Sequence, residues 1–174
     1  MASLVVTIIG KDRSGLVDSV SGVIAHHGGN WEESHMSHLA GQFAGIVLVT
    51  VADPTAETLS DALEDLETTG LLSVTVERST PAATEPTHTF SLDLVGQDRP
   101  GIIHDIAHAL AAKQVSIAEL ETSTRSAPMA GGTLFEAKAI LKAPLDLSEH
   151  DLGEALQGLA DKLLVDIELN DEAE

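Results

Sequence analysis

Apolar residues follow two alternating periodicities along the chain, one typical of strands and one of helices. Residues 4–9 form a β-branched run that favours a buried strand, and the residues from Leu16 to His27 repeat apolar positions at helical spacing. Strands are predicted at 31–39, 43–51 and 72–76, with a second helix that Pro54 opens and Gly70 ends. The first half therefore reads strand, helix, strand, strand, helix, strand.

The second half follows the same plan. It begins with a strand that alternates over 89–94, followed by a helix lined by Ile103, Ile106, Ala107 and Leu110. Strands are then predicted at 115–124 and 134–141, with a last strand at 165–169. Its second helix carries an apolar stripe at Leu152, Leu156, Leu159 and Leu163. Ser148 followed three residues later by Asp151 resembles a capping pattern, although Glu or Gln is the usual partner.

One motif occurs twice. Residues 10–16 read Gly-Lys-Asp-Arg-Ser-Gly-Leu and residues 96–102 read Gly-Gln-Asp-Arg-Pro-Gly-Ile, an offset of 86 (96 − 10) in a chain of 174. An offset of about half the length predicts a duplication. We expect an α+β protein of two ferredoxin-like βαββαβ domains in tandem, at 1–79 and 88–170. Residues 80–87, with Pro81 and Pro86, are the predicted linker, and residues 171–174 form an acidic tail.

Charge narrows the range of functions. The chain carries 28 Asp and Glu against 9 Lys and Arg, a formal net charge of −19, which disfavours direct contact with nucleic acid or an anionic membrane. It has no Cys, no basic segment near Met1 typical of a signal peptide, and no apolar run as long as a membrane span. These features predict an acidic cytoplasmic protein.

The repeated G-x-D-R-x-G-[LI] segment, within a βαββαβ pattern, resembles the ACT domain, a small-molecule regulatory module of amino-acid metabolism. Residues 119–122 and 126–137 further resemble a segment in the second ACT domain of the glycine cleavage system transcriptional repressor family. That resemblance implies tandem ACT modules that act through a partner transcription factor and not by reading DNA. Sheet edges in ACT domains often pair across chains, so it also implies a homodimer.

Each motif loop joins a strand to a helix and is a candidate amino-acid site. The helix N-terminus suits a carboxylate, the side-chain-free Gly15 and Gly101 permit close approach, and an Asp can take an α-ammonium. Resemblance to other ACT domains adds the residue before the second strand. The ligand-binding candidates are Asp12, Arg13, Ser14, Gly15, Leu16 and Asn30 in the first half and Asp98, Arg99, Gly101, Ile102 and Ser116 in the second.

The expected effector is glycine or serine, with no other cofactor. In the alternative interpretation each loop is only a tight turn, whose Asp caps its helix or pairs with the neighbouring Arg.

Three further features complete the interpretation. Pro128, Met129 and Phe135 belong to a segment that contacts a partner or, alternatively, forms a hairpin tip. His104 and His108 have a metal-chelating spacing, but no third ligand is evident, so no metal site is expected. No catalytic motif is present, which predicts a regulatory protein and not an enzyme. The alternatives are a ligand-free ACT interaction module and a regulatory subunit of an amino-acid enzyme.

Overall fold

The computed structural model describes residues 1–79, 87–127 and 131–171. The chain divides into two compact units, Met1–Ala83 and Thr84–Glu174. Each unit contains a four-stranded antiparallel sheet with two α-helices. The predicted α+β fold of two ferredoxin-like βαββαβ domains is confirmed.

The first unit has the sheet order β2-β3-β1-β4, so that β1 and β3 are central. Its elements are β1 (Ala2–Lys11), α1 (Leu16–His26), β2 (Asn30–Leu39), β3 (Gln42–Val51), α2 (Ala56–Glu64) and β4 (Ser73–Ser79). Short 3-10 turns at Asp53–Thr55 and Asp65–Thr69 flank α2. Pro54 therefore lies in a 3-10 turn that leads into the helix, and Gly70 ends the second turn with φ 67°.

The second unit repeats this order as β6-β7-β5-β8. Its elements are β5 (Thr87–Gln97), α3 (Ile102–Ala112), β6 (Ser116–Ser126), β7 (Thr133–Pro144), α4 (Glu149–Leu163) and β8 (Val165–Asp171). Of the predicted linker, Thr87 begins β5 and residues 80–86 lie outside the described residues. Of the predicted tail, Asp171 ends β8 and residues 172–174 lie outside them.

Each core lies between the helices and one face of the sheet. Alternate residues of the first central strand, Leu4, Val6 and Ile8, are fully buried, as period-two geometry requires. In the second unit Phe90, Leu92 and Leu94 hold the same place. The helices contribute Val20, Ile24, Leu59 and Leu63 to the first core and Ile106, Leu110, Leu152 and Leu156 to the second.

The second strand of each unit is an edge strand with a β-bulge. The pairing register shifts between Trp31 and Glu33 in β2 and between Ile117 and Glu119 in β6, at the same offset of 86. Most residues of both strands are exposed. Glu32 is therefore the extra residue of the first bulge, and its counterpart is Ala118.

The turn after the first helix of each unit is left-handed. Gly28 has φ 69°, and its counterpart Gln114 has φ 58°. The N–H of each donates a 3.0 Å hydrogen bond three residues back, to the carbonyls of Ala25 and Ala111 respectively. The same turn is thus built once with glycine and once with a residue that carries a side chain.

Candidate functional site

The first glycine of each motif is required by packing. A Cβ on Gly10 would lie 2.5 Å from the carbonyl oxygen of Leu71. A Cβ on Gly96 would overlap the side chain of Val165 on the neighbouring strand. This close approach of the last strand places the turn before β4 beside the β1–α1 loop.

The last glycine of each motif is required by backbone conformation. Gly15 and Gly101 stand at the N-caps of α1 and α3 with φ 90° and 95°, in the left-handed region that favours glycine. A Cβ at either position would have no atom within 4 Å. These glycines also leave the helix N-termini uncovered, because a glycine N-cap has no side chain to bond the free N–H groups.

A cleft of about 650 Å³ lies beside the first loop. Its lining residues are Ile9, Gly10, Lys11, Asp12, Arg13, Glu67, Gly70, Leu71, Leu72 and Ser73. Two cations and two carboxylates thus share one concavity. Glu67 is anchored there, since its Oε1 accepts a 2.8 Å hydrogen bond from the N–H of Val74.

Asp12 and Arg13 line this cleft, whereas Ser14, Gly15 and Leu16, the other predicted residues of the loop, are not among its lining residues. The backbone N–H of Asp12 donates to the carbonyl of Gly41 at 3.0 Å, which ties the loop to the β2–β3 turn. Within the described residues, the side chain of Asp12 neither caps α1 nor forms an ion pair. Its carboxylate is therefore available to a ligand.

The two arginines of the repeat have different surroundings. Arg99 Nη2 lies 3.5 Å from Asp105 Oδ2, in the first turn of α3, and so does not pair with Asp98. The counterpart of Asp105 is Ser19, whose hydroxyl donates to the Gly15 carbonyl at 2.9 Å. No carboxylate in the described part of the chain lies within 4.0 Å of the Arg13 guanidinium. The Arg13 guanidinium is therefore available to a ligand, whereas that of Arg99 is paired.

Asn30 lies far from this loop within its own unit. Asn30 and Ser3 both pair with Thr50, whereas Lys11 pairs with Gln42 at the other end of β1. Eight residue steps separate Ser3 from Lys11, which at strand geometry is roughly 26 Å. One unit therefore does not bring Asn30 and Asp12 to the same small ligand. Ser116 is placed in the same way at the start of β6.

A polar network surrounds Asn30 in the first unit only. Glu32 Oε1 accepts hydrogen bonds from Asn30 Nδ2 at 2.9 Å and from Thr50 Oγ1 at 2.6 Å. These bonds, that from Thr50 above all, lower the pKa of Glu32 from its usual value. Its counterpart Ala118 has no carboxylate, and the hydroxyl of Ser116 donates instead to the carbonyl of Lys142 at 3.4 Å.

Sequence reasoning missed Glu32 and Glu67. Comparison of the two halves could have found Glu32, because the second half has alanine, Ala118, at the equivalent position. No local pattern marks Glu67, which a 3-10 turn brings to the cleft.

The predicted partner-contact residues are only partly described. Pro128 and Met129 lie outside the described residues. Phe135 on β7 is half-buried and packs against the core of its own unit. The flanking backbone is closed by a 3.0 Å hydrogen bond from the N–H of Ala127 to the carbonyl of Gly132.

The described residues contain neither a group of three metal ligands nor a helix able to span a membrane. No three His, Asp or Glu side chains among them are grouped as metal ligands. None of the helices in that part of the chain has both the length and the apolar character needed to cross a bilayer.

Comparison with known proteins agrees with this architecture. Residues 2–77 match the ACT domain family. A crystal structure of an unknown protein from Galdieria sulphuraria is 32% identical, with 99% of each chain covered and a TM-score of 0.87. A proposed glycine cleavage system transcriptional repressor shares the fold, with a TM-score of 0.70 over 99% of this chain and 98% of that one, at 19% identity.

A curated relative matches a shorter stretch of the chain. A UPF0237 protein of Methanopyrus kandleri is 40% identical over 53 residues, which is 30% of this chain. The match spans 59% of the length of that relative. The sheet order and the glycine-bounded loops define two ferredoxin-like domains with one shared motif. Residues 2–77 form an ACT domain, and the second unit repeats its strand order and its motif, so the fold is that of two ACT domains in tandem.

Proposed function

We propose that this chain is an amino-acid-sensing regulatory protein, similar to glycine cleavage system transcriptional repressors. In this proposal the cleft beside Arg13 binds a small amino acid, glycine or serine. The chain then acts through a partner transcription factor, without catalysing a reaction and without binding DNA itself. The observation that carries the proposal is the placement of opposite charges around that cleft.

The charges of the cleft suit a zwitterion. Arg13 would take the carboxylate, and the positive end of the α1 helix dipole, which follows Arg13 in the chain, would favour the same charge. Asp12 and the anchored Glu67 would take the α-ammonium. Because the ammonium and carboxylate groups of an α-amino acid are both bonded to one carbon, the ligand requires donors and acceptors within one small concavity. The first loop is favoured over the second because Asp105 already occupies Arg99.

Ligand size limits the affinity that this site can reach. Glycine has five heavy atoms, and a ceiling of roughly 1.5 kcal/mol per atom corresponds to a Kd no tighter than a few µM. A sensor of this kind would therefore respond at tens of µM to mM. Those concentrations are typical of a metabolite pool, which suits a regulatory role.

The acidic surface supports indirect action on transcription. A net charge of −19 repels phosphate backbones but steers a basic protein toward the chain. The exposed acidic positions on α2 and α4 are Glu57, Asp61, Glu64, Glu149, Asp151, Glu154 and Asp161. A DNA-binding protein with a basic surface is the partner that this charge fits.

Thermal unfolding of the purified chain against a panel of amino acids at about 10 mM tests ligand binding. At about 100 times its Kd a native-state ligand adds ~2.7 kcal/mol, which should raise Tm by roughly 5–10 °C. Arg13→Gln and Asp12→Ala should abolish the shift, whereas the matched variants Arg99→Gln and Asp98→Ala should retain it. No shift with any amino acid, or a full shift in all four variants, would refute the site.

The partner is tested separately from the ligand. The tagged chain should retain a DNA-binding protein from lysate in an amino-acid-dependent manner, and Asp12→Ala should remove that dependence. The purified chain alone should not retard DNA in a gel. Retardation by the chain itself would overturn the indirect mechanism.

A further inference from the structure

The outer face of α3 carries two histidines one helical turn apart. Ile102, Ile106 and Leu110 bury the other face, while His104 and His108 are exposed. Their ring centroids lie 6.2 Å apart with an interplanar angle of 22°. Two imidazoles at positions i and i+4 of a helix point to the same side, which is the spacing that zinc-binding helices use.

We propose that His104 and His108 form a two-imidazole site for a divalent transition-metal ion such as Ni²⁺, Cu²⁺ or Zn²⁺. Neutral imidazole nitrogen is a preferred ligand of these ions, at about 2.0–2.1 Å for Zn²⁺. Each ring would supply one nitrogen, and water would fill the remaining coordination positions. Neither ring is hydrogen-bonded within the described residues, so side-chain rotation alone can bring the two nitrogens to the ion.

The surroundings of the pair define what kind of site it is. Asp105, between the two histidines in sequence, is directed to Arg99 at 3.5 Å and does not serve as a third ligand. With two protein ligands, the site would bind exchangeable ions more weakly than a closed structural site does. The net charge of −19 raises the local concentration of cations near it.

The site is specific to the second unit. At the offset of 86, the counterparts of His104 and His108 are Asp18 and Gly22, which cannot form the same chelate. The first unit therefore offers no equivalent site on α1. This asymmetry separates the proposal from the amino-acid cleft, which lies in the first unit.

Isothermal titration of the untagged full chain with Ni²⁺ alone tests the proposal, with Mg²⁺ titrated in parallel. One Ni²⁺ should bind per chain, and Mg²⁺ should not compete for it, because Mg²⁺ prefers oxygen ligands. His104→Ala and His108→Ala should each weaken binding about tenfold or more, and the double variant should abolish it, because each single variant still keeps one imidazole ligand.

His26→Ala is the matched control. His26 and His27 are adjacent in sequence with rings 5.4 Å apart and nearly perpendicular, and His27 Nδ1 lies 2.8 Å from the Val23 carbonyl oxygen. The His26→Ala variant should bind Ni²⁺ as tightly as the unaltered chain does. No binding below about 1 mM Ni²⁺, or unaltered binding in both His104→Ala and His108→Ala, would overturn the proposal.

Discussion

Replacing Gln114 with glycine should stabilise the second unit. Its φ of 58° lies in the left-handed region, which costs a residue with a side chain about 1–2 kcal/mol. Glycine removes that cost but adds about 0.5–1 kcal/mol of chain entropy in the unfolded state. The difference between the two ranges is a net gain of about 0–1.5 kcal/mol. Gln114 is exposed, so little packing is lost with the side chain.

Gly28→Ala is the reciprocal test in the first unit. A Cβ at Gly28 would meet no atom within 4 Å, so its cost comes from the backbone alone and should be about 1 kcal/mol. The hydrogen bonds of the two turns have the same length, 3.0 Å, and do not separate the two variants. The pair of substitutions should therefore change stability in opposite directions.

Urea denaturation and calorimetry of the full chain provide the measurement. For a unit of this size, 1 kcal/mol corresponds to roughly 4–8 °C in the Tm of the transition that contains it. Gln114→Gly should raise that Tm and Gly28→Ala should lower it. If Gln114→Gly destabilised the chain while Gly28→Ala had no effect, left-handed backbone strain would not be the controlling factor at this turn.

Three other substitutions test packing at Gly96, with Gly22 as its control, and the protonation of Glu32. Gly96→Ala should destabilise the chain by about 1–3 kcal/mol in urea denaturation because its Cβ would overlap Val165, whereas Gly22→Ala, in open space on a helix, should not. NMR titration should place the pKa of Glu32 below its usual 4.5, and Thr50→Val should raise it by removing the 2.6 Å hydrogen bond. A carboxyl group with a depressed folded-state pKa contributes stability above its unfolded pKa, and this is lost as pH falls through the folded value. Thr50→Val should therefore lose less stability on acidification below about pH 4.5, and an unchanged pKa would contradict the assignment.

The fold was predictable because burial imposes simple periods on a sequence. Leu4, Val6 and Ile8 alternate since a strand has two faces, and the duplicated motif supplied an independent check of the element order. Strand ends were less predictable. Backbone pairing carries β7 to Pro144, beyond the apolar run that ends at Leu141, because hydrogen bonding and not hydrophobicity sets where a strand stops.

The N-terminal cap of α4 was predicted correctly at Ser148 but not in the role of Asp151. Ser148 caps α4, as the spacing predicts, by accepting from the N–H of Asp151 at 3.1 Å. The carboxylate of Asp151 does not return to the backbone of Ser148, as a longer Glu would. It accepts from the Ser148 hydroxyl instead, at 2.7 Å.

The candidate site was predictable only where its residues are contiguous. Asp12 and Arg13 come together because one tight loop holds them, and the repeated motif marks that loop. Asn30 was grouped with them by position in the family pattern, but the strand register places it at the other end of the sheet. Glu67 reaches the cleft through the packing of β4 beside Gly10, a tertiary contact with no local pattern in the sequence.

The two β-bulges indicate which features of the chain preceded its duplication. They fall at Trp31/Glu33 and Ile117/Glu119, at the same place in each copy. An irregularity shared at this spacing is inherited more simply than it is acquired twice, so the ancestral single domain already had a bulged edge strand. Features present in one copy only, such as the carboxylate of Glu32 and the histidines of α3, then record divergence after the gene was doubled. The ancestral form can therefore be approached by removing these differences while both bulges are kept.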